Sequence, residues 1–281
     1  MNQSYRPSSF KLLPDVVKNL LIINGIMFLL DYVLSKKLGL NLGYTLGLFV
    51  PTSTYFEPYQ LVTHLFMHGS FLHIFSNMLA LWMFGNSLEN IWGPKKFLIY
   101  YFITGLGAAS IHLAVSSYEL RQEHKIIEMY AASPSIEDFE ALVKKYNRYA
   151  DQELADVTNT FYYEWSMDED NPVLVKKSIE VLELFYKQKT DIPTVGASGA
   201  VFGVLLAFGM LFPNAIIYLY FAIPVKAKYF VFFYGAFELY LGIQNNPGDN
   251  IAHFAHLGGM LFGFLLIKLW NKRRFDHFRD Y

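Results

Sequence analysis

The sequence predicts an all-α polytopic membrane protein, a six-transmembrane-helix bundle interrupted by an extracytoplasmic helical insert. Three observations carry that expectation. The 281 residues are 53% hydrophobic and 17% charged, with 26 Phe and 20 Tyr, which is more apolar and aromatic than a soluble domain. Six apolar runs approach the roughly 20 residues needed to cross a hydrocarbon layer about 30 Å thick. The charges are also sorted: residues 117–191 hold 16 acids and 9 Lys/Arg, and the remaining 206 residues hold 8 acids and 14 Lys/Arg. The chain therefore divides into 1–116 (tail and spans one to three), a polar insert at 117–191, and 192–281 (spans four to six and a basic tail). A formal charge of −1 argues against a nucleic-acid partner. The absence of cysteine excludes disulfides, thiolate metal sites and cysteine nucleophiles.

The spans are expected at about Val16–Leu34, His73–Ile91, Lys96–Val115, Ser198 to before Pro213, Tyr229–Ile243 and Ile251–Trp270. Between the fourth and fifth, Ile216–Ile223 is too short to cross and reads as a surface-lying connector ending at Pro224, Lys226 and Lys228. Lys/Arg residues beside short loops set orientation. Arg6, Lys11 and Lys18 precede span one, Lys95 and Lys96 join spans two and three, and Lys268, Lys272, Arg273, Arg274 and Arg279 follow span six. With six spans these regions and Lys226/Lys228 share one side, the cytoplasm, and both termini lie there; Lys36 and Lys37 run against the rule. The first apolar run has no small-residue cleavage site after it and reads as an uncleaved signal anchor.

The insert is then outside. Ser135 with Asp138 three residues later has capping-box spacing, and Ile136, Phe139, Val143, Tyr146 and Ala150 recur on one helical face. Asn171-Pro172 starts a second helix with Val175, Ile179, Leu182 and Phe185 on its apolar side. These two helices can pack on each other, on the membrane surface or on a partner.

Polar residues inside spans are expensive and face the bundle interior or a watery cavity. Gly196-Ala197-Ser198-Gly199-Ala200 opens span four with small residues around a hydroxyl. Alone, this pattern fits tight helix packing as well as a nucleophile. His256 precedes Gly259 and Gly263 at the outer start of span six, at the same depth as Ser198, and a histidine is a suitable base for a serine. His73 and Asn77, four apart on one face, can donate to an oxyanion together with the Ser198 backbone N–H. His64 and His68 read as structural, bonding loop backbone. A zinc site could draw on these histidines, but no His-Glu-x-x-His is present and nothing supplies the carboxylate base of a zinc protease, so neither metal nor cofactor is expected. Glu238, in span five, is the one feature that would favour a transporter.

Gly196-x-Ser198-Gly199, Ala255-His256-x-x-Gly259-x-x-x-Gly263 and His73-x-x-x-Asn77 preceded by His68 occur in an order and spacing that resemble the rhomboid family of intramembrane serine proteases in its bacterial six-span form. The resemblance covers roughly residues 15–116 and 193–270. It implies a partly submerged first loop at about residues 35–70, a structural pair in Glu89 and Gly93, and a Ser198–His256 dyad with no third acid. It also implies His73, Asn77 and the Ser198 backbone as oxyanion donors, Phe202 packed beneath His256, and Gly196, Gly199, Gly259 and Gly263 supporting close approach of spans four and six. The implied reaction is hydrolysis of peptide bonds in or near transmembrane segments of membrane-protein substrates, within lipid and in a bacterial cytoplasmic membrane. A catalytically idle protein that captures transmembrane clients is the alternative. The 75-residue insert departs from the family's short loop and is a candidate contact for a partner or substrate ectodomain.

Overall fold

The computed structural model describes residues 11–219, 222–244 and 251–276, so Arg6, Asp249, Asn250 and Arg279 lie outside the described residues. The chain forms an all-α polytopic membrane bundle. It separates into two compact units, the bundle (residues 1–48, 58–112 and 194–281) and an insert unit (49–57 and 113–193).

In the bundle, α1 (Asp15–Leu38) begins after Pro14, which offers no side-chain cap. The cap comes from elsewhere: the Glu89 carboxylate accepts the N–H groups of Val16 and Val17 at 2.9 and 2.8 Å. A carboxylate there satisfies two orphan donors and complements the positive end of the helix dipole. The outward residues Ile22, Ile26, Leu29 and Val33 are exposed, as suits a face solvated by lipid.

Two short helices, α2 (Leu42–Leu46) and α3 (Gln60–Thr63), lie in the first loop. Span two is α4 (Phe71–Ala80), a π-helical segment at Leu81–Gly85, and α5 (Asn86–Trp92). Next, α6 (Pro94–Ala132) runs 39 residues, about 58 Å at 1.5 Å per residue, well past the expected end at Val115. Residues 119–132 are mostly good helix formers without Gly or Pro, so the helix outlasts the apolar run that marked the span.

The insert unit contains α7 (Ile136–Tyr146), α8 (Gln152–Met167) and α9 (Pro172–Thr190). Ser135 and Asn171 cap α7 and α9 as expected, accepting the N–H groups of Asp138 and Val173. The expectation of two helices is corrected to three, joined by the end of α6. The core they share takes Ile127 and Tyr130 from α6, Phe139 and Tyr146 from α7, Leu154, Phe161 and Trp165 from α8, and Leu182 and Phe185 from α9. Helix α8 was hidden because its buried stripe includes Thr158, whose hydroxyl donates to the Leu154 carbonyl.

Returning to the bundle, α10 (Ser198–Leu211) has 14 residues, about 21 Å and short of the hydrocarbon thickness. It is buried on nearly every side, which fits a helix apolar all round and enclosed by others. The expected connector between spans four and five takes the form of paired antiparallel strands, β1 (Ile216–Leu219) and β2 (Ile223–Lys226). Exposed Ile216, buried Ile217 and exposed Tyr218 alternate as a half-covered strand does. Helix α11 (Ala227–Gln244) exposes Phe232, Phe233, Phe237 and Tyr240 and buries Val231, Glu238 and Gly242. Last, α12 (His253–Asp276) packs most extensively on α10. By length and composition α1, α6 and the His253–Trp270 part of α12 can each cross a membrane, and α10 is a shorter apolar helix.

Candidate active site

The chain re-enters the bundle through Thr194, which forms an antiparallel bridge with Leu48 and hydrogen bonds through its hydroxyl to His112 Nε2 at 2.7 Å. Two residues on, the Gly196 N–H donates to the His64 carbonyl at 2.9 Å, while His64 Nδ1 bonds the Gln60 carbonyl. Gly196 has φ +127°, a conformation that L side chains rarely adopt, and a Cβ built there would lie 2.7 Å from the His73 ring. This glycine thus serves contact with span two, a correction to the expectation that it supports the approach of spans four and six.

Ser198 is the first residue of α10, so its backbone N–H is among those with no intrahelical partner. Its Oγ lies 2.9 Å from His256 Nε2. The His256 ring stacks on Phe202, one turn along α10, with centroids 4.0 Å apart and planes 6° from parallel. Close passage of α10 and α12 sets that distance: a Cβ on Gly259 would collide with the Gly199 carbonyl oxygen. Gly199 also abuts Ala108 of α6, and Gly263 faces Gly203 and the Tyr100 hydroxyl, which donates to the Gly203 carbonyl at 2.8 Å.

Ser70 caps α4 by accepting the His73 N–H, which fixes the helix that carries His73 and Asn77. Asn77 is buried and bonds His68 Nε2 at 3.1 Å, and the His68 and His73 rings meet edge to face at 4.9 Å. His68 therefore supports Asn77 rather than only loop backbone. His73 and Asn77 both border Gly196, near the start of α10.

One further neighbour of His256 comes from span five. Glu238 Oε2, on α11, lies 2.8 Å from His256 Nδ1 and 2.7 Å from His253 Nδ1. All three side chains are buried. The expectation of a dyad without a nearby acid is corrected here. The available signal was an ionisable residue within an otherwise apolar span, which calls for a partner inside the bundle. With Glu238 ionised and His256 neutral, both imidazoles donate from Nδ1 and His256 Nε2 turns its lone pair toward the Ser198 hydroxyl. The same three residues bring together two imidazoles and a carboxylate that could hold a metal. Their 2.7 and 2.8 Å separations are hydrogen-bond distances, shorter than the roughly 3.4 Å between adjacent ligands of tetrahedral zinc.

A family profile described as "Rhomboid domain" matches residues 55–122 and 177–273. The chain is 26% identical over 268 residues to "RHOMBOID-like protein 12, mitochondrial" of Arabidopsis thaliana, covering 94% of this chain and 60% of that protein. It is 25% identical over 213 residues to "Rhomboid protein 1, mitochondrial" of Saccharomyces cerevisiae, covering 74% and 42%. It is 31% identical over 84 residues to "Rhomboid-like protease 3" of Toxoplasma gondii, covering 29% and 32%. The chain thus spans about 60% or less of the length of these relatives. With the profile matching over half of its residues, in two stretches separated by residues 123–176, the chain belongs to the rhomboid family.

Proposed function

We propose that the protein is an intramembrane serine endopeptidase that cleaves peptide bonds in or near the transmembrane segments of membrane-protein substrates. The 2.9 Å contact between Ser198 Oγ and His256 Nε2 is the observation that carries this reading. Ser198 Oγ attacks the scissile carbonyl carbon while its proton passes to His256 Nε2. The developing oxyanion takes hydrogen bonds from the Ser198 N–H, His73 and Asn77. His256 then protonates the leaving amine, and a water deprotonated by the same ring hydrolyses the acyl-serine. Phe202 holds the imidazole plane through both halves of the cycle. A helical substrate must first unwind, because its scissile carbonyl is otherwise engaged in the helix and shielded by side chains.

The Lys/Arg residues beside the short loops support a topology with both termini on the cytoplasmic side and the insert outside. The six-span form supports a bacterial cytoplasmic membrane, whereas two of the relatives carry mitochondrial names. Fractionation of the native cell decides between these membranes.

The central test is covalent labelling by a serine-directed probe in detergent, with cleavage of a transmembrane substrate read alongside. The parent labels and cleaves; Ser198→Ala and His256→Ala do neither. Substrate cleavage by Ser198→Ala at the parent rate would sink the proposal. Client capture without product from any form would instead make the chain a binding protein for transmembrane segments.

A further inference from the structure

We propose that Glu238 is a positioning residue that extends the Ser198–His256 pair into a three-residue relay, an inference that rests on the protease reading above. A carboxylate buried between helices is costly unless its charge is met by good donors. Here one oxygen, Oε2, receives two: His256 Nδ1 at 2.8 Å and His253 Nδ1 at 2.7 Å. The two histidines lie three residues apart on α12, one turn above the other, and both turn the same ring nitrogen toward α11. His253 thereby anchors the carboxylate, and the carboxylate orients His256.

The proton movements follow from that arrangement. As the Oγ–C bond forms, the Ser198 proton moves to Nε2, while Nδ1 keeps its own proton throughout. The ring then carries a positive charge beside the Glu238 carboxylate, which stabilises it. The Nε2 proton leaves with the amine nitrogen as the C–N bond breaks, and the ring returns to the tautomer it began with. Glu238 touches neither substrate nor Ser198. The relay draws on three helices, with Ser198 on α10, Glu238 on α11 and His256 on α12, so it is complete only while α11 is seated on α12.

The test compares the full-length parent with Glu238→Gln, Glu238→Ala and Glu238→Asp in detergent, using a fluorogenic transmembrane substrate and thermal melting. Glutamine keeps the shape and one accepting oxygen but removes the charge. A purely structural role therefore leaves Glu238→Gln close to the parent and makes Glu238→Ala the harmful change. The relay predicts instead that Glu238→Gln loses about 100-fold or more in kcat, with KM within about threefold of the parent and an unchanged melting profile. Glu238→Asp, which keeps the charge, recovers part of that loss. Should the glutamine variant fail to fold, Glu238→Asp set against Glu238→Ala reads the distinction: the relay gives the aspartate variant the higher kcat at similar KM, and equal kcat in the two overturns it. Glu238→Gln turnover within threefold of the parent overturns the relay and leaves the protease reading standing, provided Ser198→Ala is inert. A parent that neither labels nor cleaves overturns both.

Discussion

Gly196 shows how little room the site has at the level of single residues. Its φ of +127° and the His73 ring 2.7 Å from any added Cβ leave no space for a side chain. Gly196→Ala should displace His73 and twist the start of α10 away from its N–H alignment. The expected outcome is a loss on the order of 100-fold in kcat, comparable to removing one oxyanion donor, measured on a transmembrane substrate. The sequence made Ser198, His256, His73 and Asn77 legible because their residue types and spacing are unusual inside apolar spans. Phe202, an ordinary residue for an apolar span, was reached only through the family resemblance, one helical turn from the serine. Glu238 was not legible. It precedes His256 by 18 positions and sits on a different helix, and its bond to the ring depends on the rotation of α11, which no local spacing encodes. Gly263 meets Gly203 of span four as expected and Tyr100 of span three besides, whereas Gly196 meets His73 of span two, a neighbour that a pairwise reading of spans four and six could not supply.

Among the elements, α1 illustrates a helix whose start is fixed from a distance. Its N-cap is proline, and the two donors that a capping side chain would take are held by Glu89 from α5. Glu89→Ala should cost about 1–3 kcal/mol, since it leaves buried N–H groups unpaired. The check is a lower melting temperature together with faster amide exchange at Val16 and Val17. Glu89 stood out in the sequence as half of a pair with Gly93, whose N–H does donate to the Glu89 carbonyl at 2.8 Å; the partners of its carboxylate are 72 and 73 residues away, beyond any local pattern. Ser135 and Asn171 made their helix starts readable; Asp151 caps α8 in the same way, accepting the Leu154 N–H, but Thr158 breaks the apolar stripe that would have followed it. The end of α6 shows the converse limit: hydropathy locates where apolar character stops, and a helix made of good formers continues regardless.

At the scale of the whole molecule, the bundle and the insert each have a core of their own. The points where the chain leaves and rejoins the bundle are adjacent, because His112 and Thr194 are hydrogen-bonded at 2.7 Å. Closely spaced ends are the condition under which a segment can be removed without unravelling its host. Replacing residues 113–193 by a short Gly/Ser linker should therefore give a bundle that inserts, folds and still labels at Ser198. Labelling and melting of the shortened protein check this, and loss of both would mean that the bundle depends on the insert. Contacts made by residues 49–57, which belong to the insert unit, are expected to loosen, beginning with the Ser53–Asp191 hydrogen bond. The charge sorting that first separated the chain was a whole-molecule signal of this division, although it set the boundaries from solvent preference rather than from packing. The His112–Thr194 junction also has a meaning for descent. Where two strands of chain meet at a single hydrogen bond, one recombination event can graft, exchange or delete everything between them without rethreading a helix, and the rhomboid profile itself falls silent between residues 122 and 177. A lineage could thus change what the protein presents to its surroundings while inheriting its chemistry intact.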